Sequence, residues 1–361
     1  MDNKRQATAA VKGYVLQGYF GMYFFFKDKN YKEIDWIKIE SPKEDIEIQY
    51  YDGSKDFIQV KTKEKPTESL DFATSPFKKG ILTLYEAFDW AFENNIEVRK
   101  LILANNMFSQ GIKRLDEKLR LGTEENFIYN LRNYLFEEEI ESFSSKVKRE
   151  IKDILYIARI DDSYLLNTSK ILPELRKVIN DLDLDNIEEN IKEALKVLFV
   201  ENNCDGKLVI KKSQIAWSFI KNKLNQNKVY RNFSRDFEDE INEANLIDIE
   251  ILAEEKEIKD ILRDFSRDYE IYMFFQKEIE EFQIKNGRIT SQNIREVVLQ
   301  IGNKIFEQKY LYLKDIYSVE EKKVICYFFV YFLYYNNNSM RRIYDEFNIQ
   351  GERDEINRIN N

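Results

Sequence analysis

The chain has 361 residues, 43% of them hydrophobic and 14% aromatic, with 4 prolines, 11 glycines and a formal net charge of −9. That length suggests two domains, or one with a large elaboration, and the apolar content excludes a disordered chain. There is no histidine, which removes Ser-His-Asp and Cys-His nucleophile systems and His-ligated zinc, and leaves hydrolysis to carboxylates, lysine and a hard cation such as Mg²⁺.

The N-terminal Met1–Gln6 lacks an apolar signal region. Ala7–Phe26 is apolar nearly all round and predicts a buried helix. Gly13, Gly18 and Gly21 each cost about 1 kcal/mol inside it relative to alanine; they fit a close approach by a sheet or ligand. Gln17 lies among them. Asp35–Glu40 predicts a strand, Asp45–Tyr51 a second with alternating Ile46 and Ile48, and Phe57–Thr62 a third. Asp52-Gly53 is a hairpin signal between the last two. Lys63–Ser75 is a polar loop, Phe77–Phe92 an amphipathic helix with Pro76 near its first turn, and Lys100–Ala104 a buried strand. Helix, strands, helix and strand together indicate a small mixed sheet flanked by helices.

Beyond about residue 110 the pattern turns helical: Ile112–Leu119, Glu124–Phe136, Ser142–Arg159, Ile171–Leu182, Ile187–Phe199 and Ser213–Leu224, with one short strand at Lys207–Ile210. Lys221–Arg231 is a plausible boundary. The rest predicts helices at Phe233–Ala244, Asp248–Phe265, Tyr269–Ile284, Ser291–Tyr310, Val319–Tyr335 and Met340–Phe347, and a frayed tail. The apolar run Val324–Tyr335 is too short to span a bilayer. It and the aromatic stripe Tyr269–Phe275 fit core or a protein interface. Cys204 and Cys326 lie far apart, form no metal or disulfide pattern, and fit a reducing cytoplasm.

Charge is uneven. Residues 1–80 carry 14 basic and 13 acidic side chains and the remainder 42 and 52, so +1 stands against −10. An acidic chain does not coat DNA unaided; a local basic surface or a partner must supply the attraction.

The chemistry gathers on the hairpin. Strand side chains two apart share a face, so Phe57, Gln59 and Lys61 project together, opposite Ile58 and Val60. The Asp52-Gly53 turn folds Asp45 back toward Gln59 and Lys61. A carboxylate from Asp45, a carboxamide oxygen from Gln59 and the backbone carbonyl of Val60 could hold a divalent cation. The Lys61 ammonium could orient a water or stabilise charge on a phosphoryl group. Taken alone, the same residues also make an ordinary polar hairpin. Glu44 and Glu47 are expected as surface charges. Lys63 and Lys65 suit phosphate contacts or a solvated loop equally well.

Gly13-Tyr14-x-x-Gln17 on the first helix, Glu40 followed by Glu44-Asp45-Ile46, and Gln59-Val60-Lys61 together resemble the PD-(D/E)xK nuclease superfamily. The pattern is most similar to the dsDNA endonuclease domain of bacterial anti-phage effectors of the CBASS and Lamassu types. The resemblance covers roughly residues 7–106 and fades through about 225. It implies an α+β, restriction-endonuclease-like core, a mostly helical C-terminal region, and Mg²⁺-dependent cleavage of double-stranded DNA, with Mn²⁺ able to substitute. Carried over by position, Asp45 is the metal carboxylate, Gln59 stands where an acidic ligand is usual, and Lys61 is the catalytic lysine. Glu40 is an additional acidic site residue and Gln17 matches a polar helix position often held by Glu.

The expected domains are 1–225, the nuclease with a helical elaboration, and 226–361, a helical docking or oligomerisation region. Residues 232–361 lack the strands and glycine loops of a second-messenger-binding domain, which favours a Lamassu-type effector. Such a subunit is held inactive by an SMC-like ATPase with an accessory subunit and released to homo-oligomerise, with no membrane partner. The alternatives are a CBASS-like or stand-alone defence nuclease, an RNA-directed enzyme, and a non-catalytic adaptor with a degenerate nuclease fold.

Overall fold

The structure is a computed structural model. It describes residues 2–62, 70, 74–107, 127–131, 151, 153–160, 188–201, 209–212, 214–216, 218–219, 227–246, 269–309 and 317–347. The chain divides into two compact units, one within Met1–Ile215 and one within Ala216–Gln350.

The first unit opens with helix α1 (Asp2–Phe26) and a 3₁₀ turn (Lys27–Lys32). Strands β1 (Ile34–Ile39), β2 (Ile46–Tyr50) and β3 (Lys55–Lys61) follow as an antiparallel meander. Helix α2 (Ser75–Glu93) crosses over to β4 (Val98–Asn105), which runs parallel to β3. The sheet is completed by β5 (Phe127–Asn130), β6 (Leu155–Arg159) and β7 (Val209–Lys211), in the order β5-β6-β4-β3-β2-β1-β7. Helix α3 (Glu188–Lys196) runs into a π-helical turn (Val197–Glu201). This is the expected mixed sheet flanked by helices, followed by a region whose described elements are all helical.

Alternation along the strands puts the two helices on opposite faces. Ile39, Ile46 and Ile58 lie across from one another, and α1 packs on that face: a Cβ on Gly21 would stand 2.3 Å from the Ile39 side chain. Gly18 is equally constrained, since a Cβ there would meet the Phe199 carbonyl oxygen at 2.7 Å. Gly13 has no such neighbour, so close approach accounts for two of the three glycines. The other face carries Phe57, Leu101 and Leu103 into a core with Phe77, Ile81, Leu84 and Phe88 of α2.

Two expectations fail in this unit. Phe127–Asn130 and Leu155–Arg159 are strands, where helices at Glu124–Phe136 and Ser142–Arg159 were expected. β6 lies between β4 and β5 and is buried on almost every residue. A short apolar run of that kind has no alternation, so periodicity does not separate it from a buried helix. The helices expected at Ile112–Leu119, Ile171–Leu182 and Asp248–Phe265, with Cys204, Lys63, Lys65 and the tail, lie outside the described residues.

The second unit contains α4 (Asn227–Asp236), α5 (Glu238–Glu243), α6 (Tyr269–Asn286), α7 (Ile294–Lys309) and α8 (Val319–Phe347). The helix expected over Phe233–Ala244 is broken at Phe237, whose ring stacks on Phe233 with centroids 4.6 Å apart. The two helices expected at Val319–Tyr335 and Met340–Phe347 are one. The helix continues through Asn336, Asn337, Asn338 and Ser339, and the Asn336 side chain donates to the Phe332 carbonyl at 2.9 Å. Asn337 accepts from Gln276 at 2.6 Å and from the Tyr272 hydroxyl at 3.2 Å. The Asn337 side chain, engaged with α6, does not compete for the helix backbone. The apolar run of α8 is buried, Cys326 included, and among the described residues no helix is long and apolar enough to cross a membrane.

Candidate active site

The site lies where β3 outruns β2. The last β2–β3 pair is Ile46 with Ile58, so Gln59, Val60 and Lys61 extend beyond it with no strand on that side. Asp45 fills the gap. Its Oδ2 accepts the Val60 backbone N–H at 2.7 Å and a short hydrogen bond from Gln59 Nε2. A strand residue's N–H and C=O point to the same side, so the Val60 carbonyl also faces this edge.

The turn between β1 and β2 brings two more acids to the same place. The Glu40 N–H donates to the Asp45 carbonyl at 2.7 Å, and Glu40 adopts φ +54°. A left-handed conformation costs a non-glycine residue about 1 kcal/mol or more and persists where the surroundings enforce it. Here it sets Glu40 beside Asp45. Gln17 on α1 hydrogen-bonds both carboxylates, while its Oε1 is buried without a partner; its amide nitrogen is therefore the donor. α2 closes the other side. Thr83 Oγ1 lies 2.8 Å from Gln59 Oε1 and 3.0 Å from the Gly80 carbonyl, and it also hydrogen-bonds Glu44. One hydroxyl proton serves one of these acceptors at a time. Gly80 makes room, since a Cβ there would fall 2.6 Å from Leu103 Cδ1, 3.3 Å from Lys61 Cε and 3.6 Å from Gln59 Cγ.

Burial raises the Glu40 carboxyl above its ordinary range, and Asp45 beside it adds to the shift. Burial raises Asp45 as well, against the Val60 amide and the Lys61 ammonium, which favour the charged form. Glu44 is pushed furthest, to about 8, by burial and then by Asp45. All five residues expected at the site, Gln17, Glu40, Asp45, Gln59 and Lys61, are thus gathered at one end of β3. As placed, however, Gln59 offers its amide N–H to Asp45 and its carbonyl oxygen to Thr83, rather than an oxygen toward Asp45.

Residues 8–222 match the family described as Cap4, dsDNA endonuclease domain. The chain belongs to that family. Membership makes the region a nuclease domain of the PD-(D/E)xK type and supports an endonuclease function acting on DNA. No curated protein and no solved structure matches the chain.

Within this Cap4-type domain, Glu44 and Glu47 correct the expectation of surface charges, being only 5% and 6% exposed. Glu47 is drawn inward by Lys55 at 2.5 Å and by the Ser41 hydroxyl at 2.6 Å. Glu44 is drawn in by the turn that seats Asp45. Thr83 and Gly80 carried no sequence signal. Both sit on an amphipathic helix whose pattern reports only its apolar face.

The donor set fits a divalent cation. Glu44 and Asp45 interact with the Lys61 ammonium, Glu40 lies beside Asp45, and among the described residues two buried oxygens, Glu44 Oε1 and Gln17 Oε1, have no partner. Buried polar atoms are rarely left so. Among the described residues no three His, Cys, Asp or Glu side chains converge closely enough to hold a metal by themselves. Amide, backbone and water oxygens would have to complete the shell, as is usual for Mg²⁺.

Proposed function

We propose that the chain is a Mg²⁺-dependent endonuclease that cleaves double-stranded DNA as the effector of a bacterial anti-phage defence system, with Mn²⁺ able to substitute. The observation that carries this reading is the convergence of Asp45, Gln59 and Lys61 at the free end of β3 in a domain of the Cap4 endonuclease family. Asp45 and the Val60 carbonyl would hold the cation, joined by Gln59 if its amide turns over. A bound Mg²⁺ lowers the pKa of a coordinated water and neutralises phosphoryl charge.

The rest belongs to the chain's own residues. The Val60 amide fixes the Asp45 carboxylate in place. Gly80 leaves the Lys61 stem a path along α2, so its ammonium can meet a phosphate oxygen at the strand end. Gln17 holds Glu40 and Asp45 together by donating to both.

Residues 1–225 form the nuclease domain in this reading, and 226–361 form a docking or oligomerisation domain. A Lamassu-type arrangement, in which an SMC-like ATPase and an accessory subunit hold the nuclease inactive until it is released to homo-oligomerise, accords with two features. The acidic side chains outside residues 1–80 disfavour unaided DNA binding, and the described elements of the second unit are all helical. A cytoplasmic location accords with the distant cysteines.

Incubating the chain with plasmid DNA and Mg²⁺ or Mn²⁺, alone and with its operon partners, tests the nuclease. Metal-dependent linearisation that disappears in Lys61→Ala is expected; equal cleavage by the two would refute the assignment. Co-purification from the native operon should return an SMC-like ATPase. Recovery of the nuclease with a nucleotide-second-messenger synthase instead would place it in a CBASS-type system.

A further inference from the structure

Two residues before Lys61 on β3 stands Gln59, a neutral side chain. Gln59 is 6% exposed and hydrogen-bonded at both ends of its amide, to Asp45 and to Thr83. A neutral amide brings no negative charge whichever way it is turned, so the charge of a second carboxylate must come from elsewhere if a divalent ion is to be held.

Glu44 is placed to supply it. It precedes Asp45 in the turn, is 5% exposed, and interacts electrostatically with both Asp45 and Lys61. Its contacts with Thr83 and the Asp45 backbone hold the side chain inside, and Oε1 is buried with no partner. A buried carboxyl oxygen with nothing to bind is costly. Among the described residues, no cation pairs directly with Glu44 in the way that Lys55 pairs with Glu47 at 2.5 Å. Thr83 lies between the two halves of the arrangement, its hydroxyl 2.8 Å from Gln59 Oε1 and within reach of Glu44.

The geometry points to Glu44 as the second carboxylate ligand of the cation site, displaced from the strand position of Gln59 to the turn position beside Asp45, with Thr83 positioning both side chains. The inference rests on the metal-dependent reading of this site.

Mn²⁺ binding to the full-length chain tests it, by calorimetry and by the electron paramagnetic resonance signal of free Mn²⁺. Wild type, Asp45→Asn and Glu44→Gln are compared, with thermal melting as the check on folding. Glu44→Gln is close to isosteric and removes a buried ionisable group, so its melting temperature should hold or rise. Its Mn²⁺ affinity should fall at least about tenfold. Should it fail to fold, Glu44→Asp is measured instead; it keeps the charge but withdraws the carboxylate by one methylene, and weaker binding is again expected.

Wild-type affinity in the folded Glu44 variant, with binding lost in Asp45→Asn, would overturn the inference and leave the nuclease reading intact. No Mn²⁺ binding by wild type would overturn both. Weakened binding in the Glu44 variant, in a protein that cuts no DNA, would uphold the ligand assignment while the nuclease reading falls.

Discussion

The two ends of β3 handle negative charge in opposite ways. At the hairpin end, acids are matched with cations of the chain itself. Glu47 meets Lys55 at 2.5 Å, and Arg99 meets Glu33 at 2.7 Å and Asp52 at 2.6 Å while donating to Ser54 at 2.7 Å and lying 4.0 Å over the Tyr50 ring. At the free end, Glu40, Glu44 and Asp45 are met by amides from Gln17, Gln59 and Val60 and by the threonine hydroxyl, with Lys61 as the nearby cation. Neutral donors stabilise a carboxylate without cancelling its charge. The hairpin end is electrostatically finished, and the free end, on the proposed reading, takes its positive charge from a cation that arrives from outside.

The sharpest way to break that contrast is to remove Lys61. Lys61→Ala should lower metal-dependent cleavage of plasmid DNA by about 10²–10³-fold, the usual consequence of losing one charge-stabilising group at a reacting centre. Because Lys61 is not the partner that holds the Asp45 carboxylate in place, thermal melting should barely move. A variant that loses activity and stability in parallel would mean that the free end is structural, like the other.

Asp56, one residue beyond Lys55, tests whether the hairpin end is as finished as its ion pairs suggest. Burial pushes its carboxyl up to about 6, although Tyr50 donates to Oδ2 at 2.7 Å and Lys100 and Arg99 act on it at longer range. The folded form therefore keeps a proton that the unfolded chain has released between about pH 4 and pH 6. In that window the unfolded state binds fewer protons, so stability falls as pH rises, and it is level on either side. The span corresponds to a loss on the order of 3 kcal/mol. Asp56→Asn should flatten it, read as urea midpoints at pH 4, 5, 6 and 7. An unchanged slope would assign the pH dependence to the acids at the free end.

Much of the first unit was legible because its signals are local. Alternation in Ile46 and Ile48, the Asp52-Gly53 turn and Pro76 each declare an element within a few residues. Asp45, Gln59 and Lys61 could be brought together from pairing rules alone. β6 could not be foreseen, since a strand buried in mid-sheet is defined by neighbours distant in sequence, and β5 is a four-residue edge strand that pairs with β6. The inward position of Glu44 was hidden for another reason. It depends on the left-handed backbone of Glu40 and on a threonine 39 positions later, and neither leaves a trace in hydrophobic pattern. The use of Gly80, clearance for Lys61 and Gln59, emerges only when α2 is laid on the sheet.

The smallest expected effect is the mirror image of Lys61→Ala. Arg99 gathers Glu33, Asp52 and Ser54 around the β2–β3 turn and stacks on Tyr50, yet it is about a third exposed, and Glu33 and Asp52 are more open still, at 67% and 54%. Exposed pairs contribute little each because water and salt screen them. The contacts share one rigid guanidinium, so Arg99→Ala should lower stability by about 1–2 kcal/mol rather than by the sum of separate pairs. The loss should shrink when the urea midpoint is measured again in high salt. Metal-dependent cleavage should stay at the wild-type level, because the turn can loosen without disturbing the Val60–Asp45 contact at the far end of the strand. Cleavage that drops with Arg99 would mean that the two ends communicate along β3, and that charge matching at the hairpin helps to set the register on which the site depends.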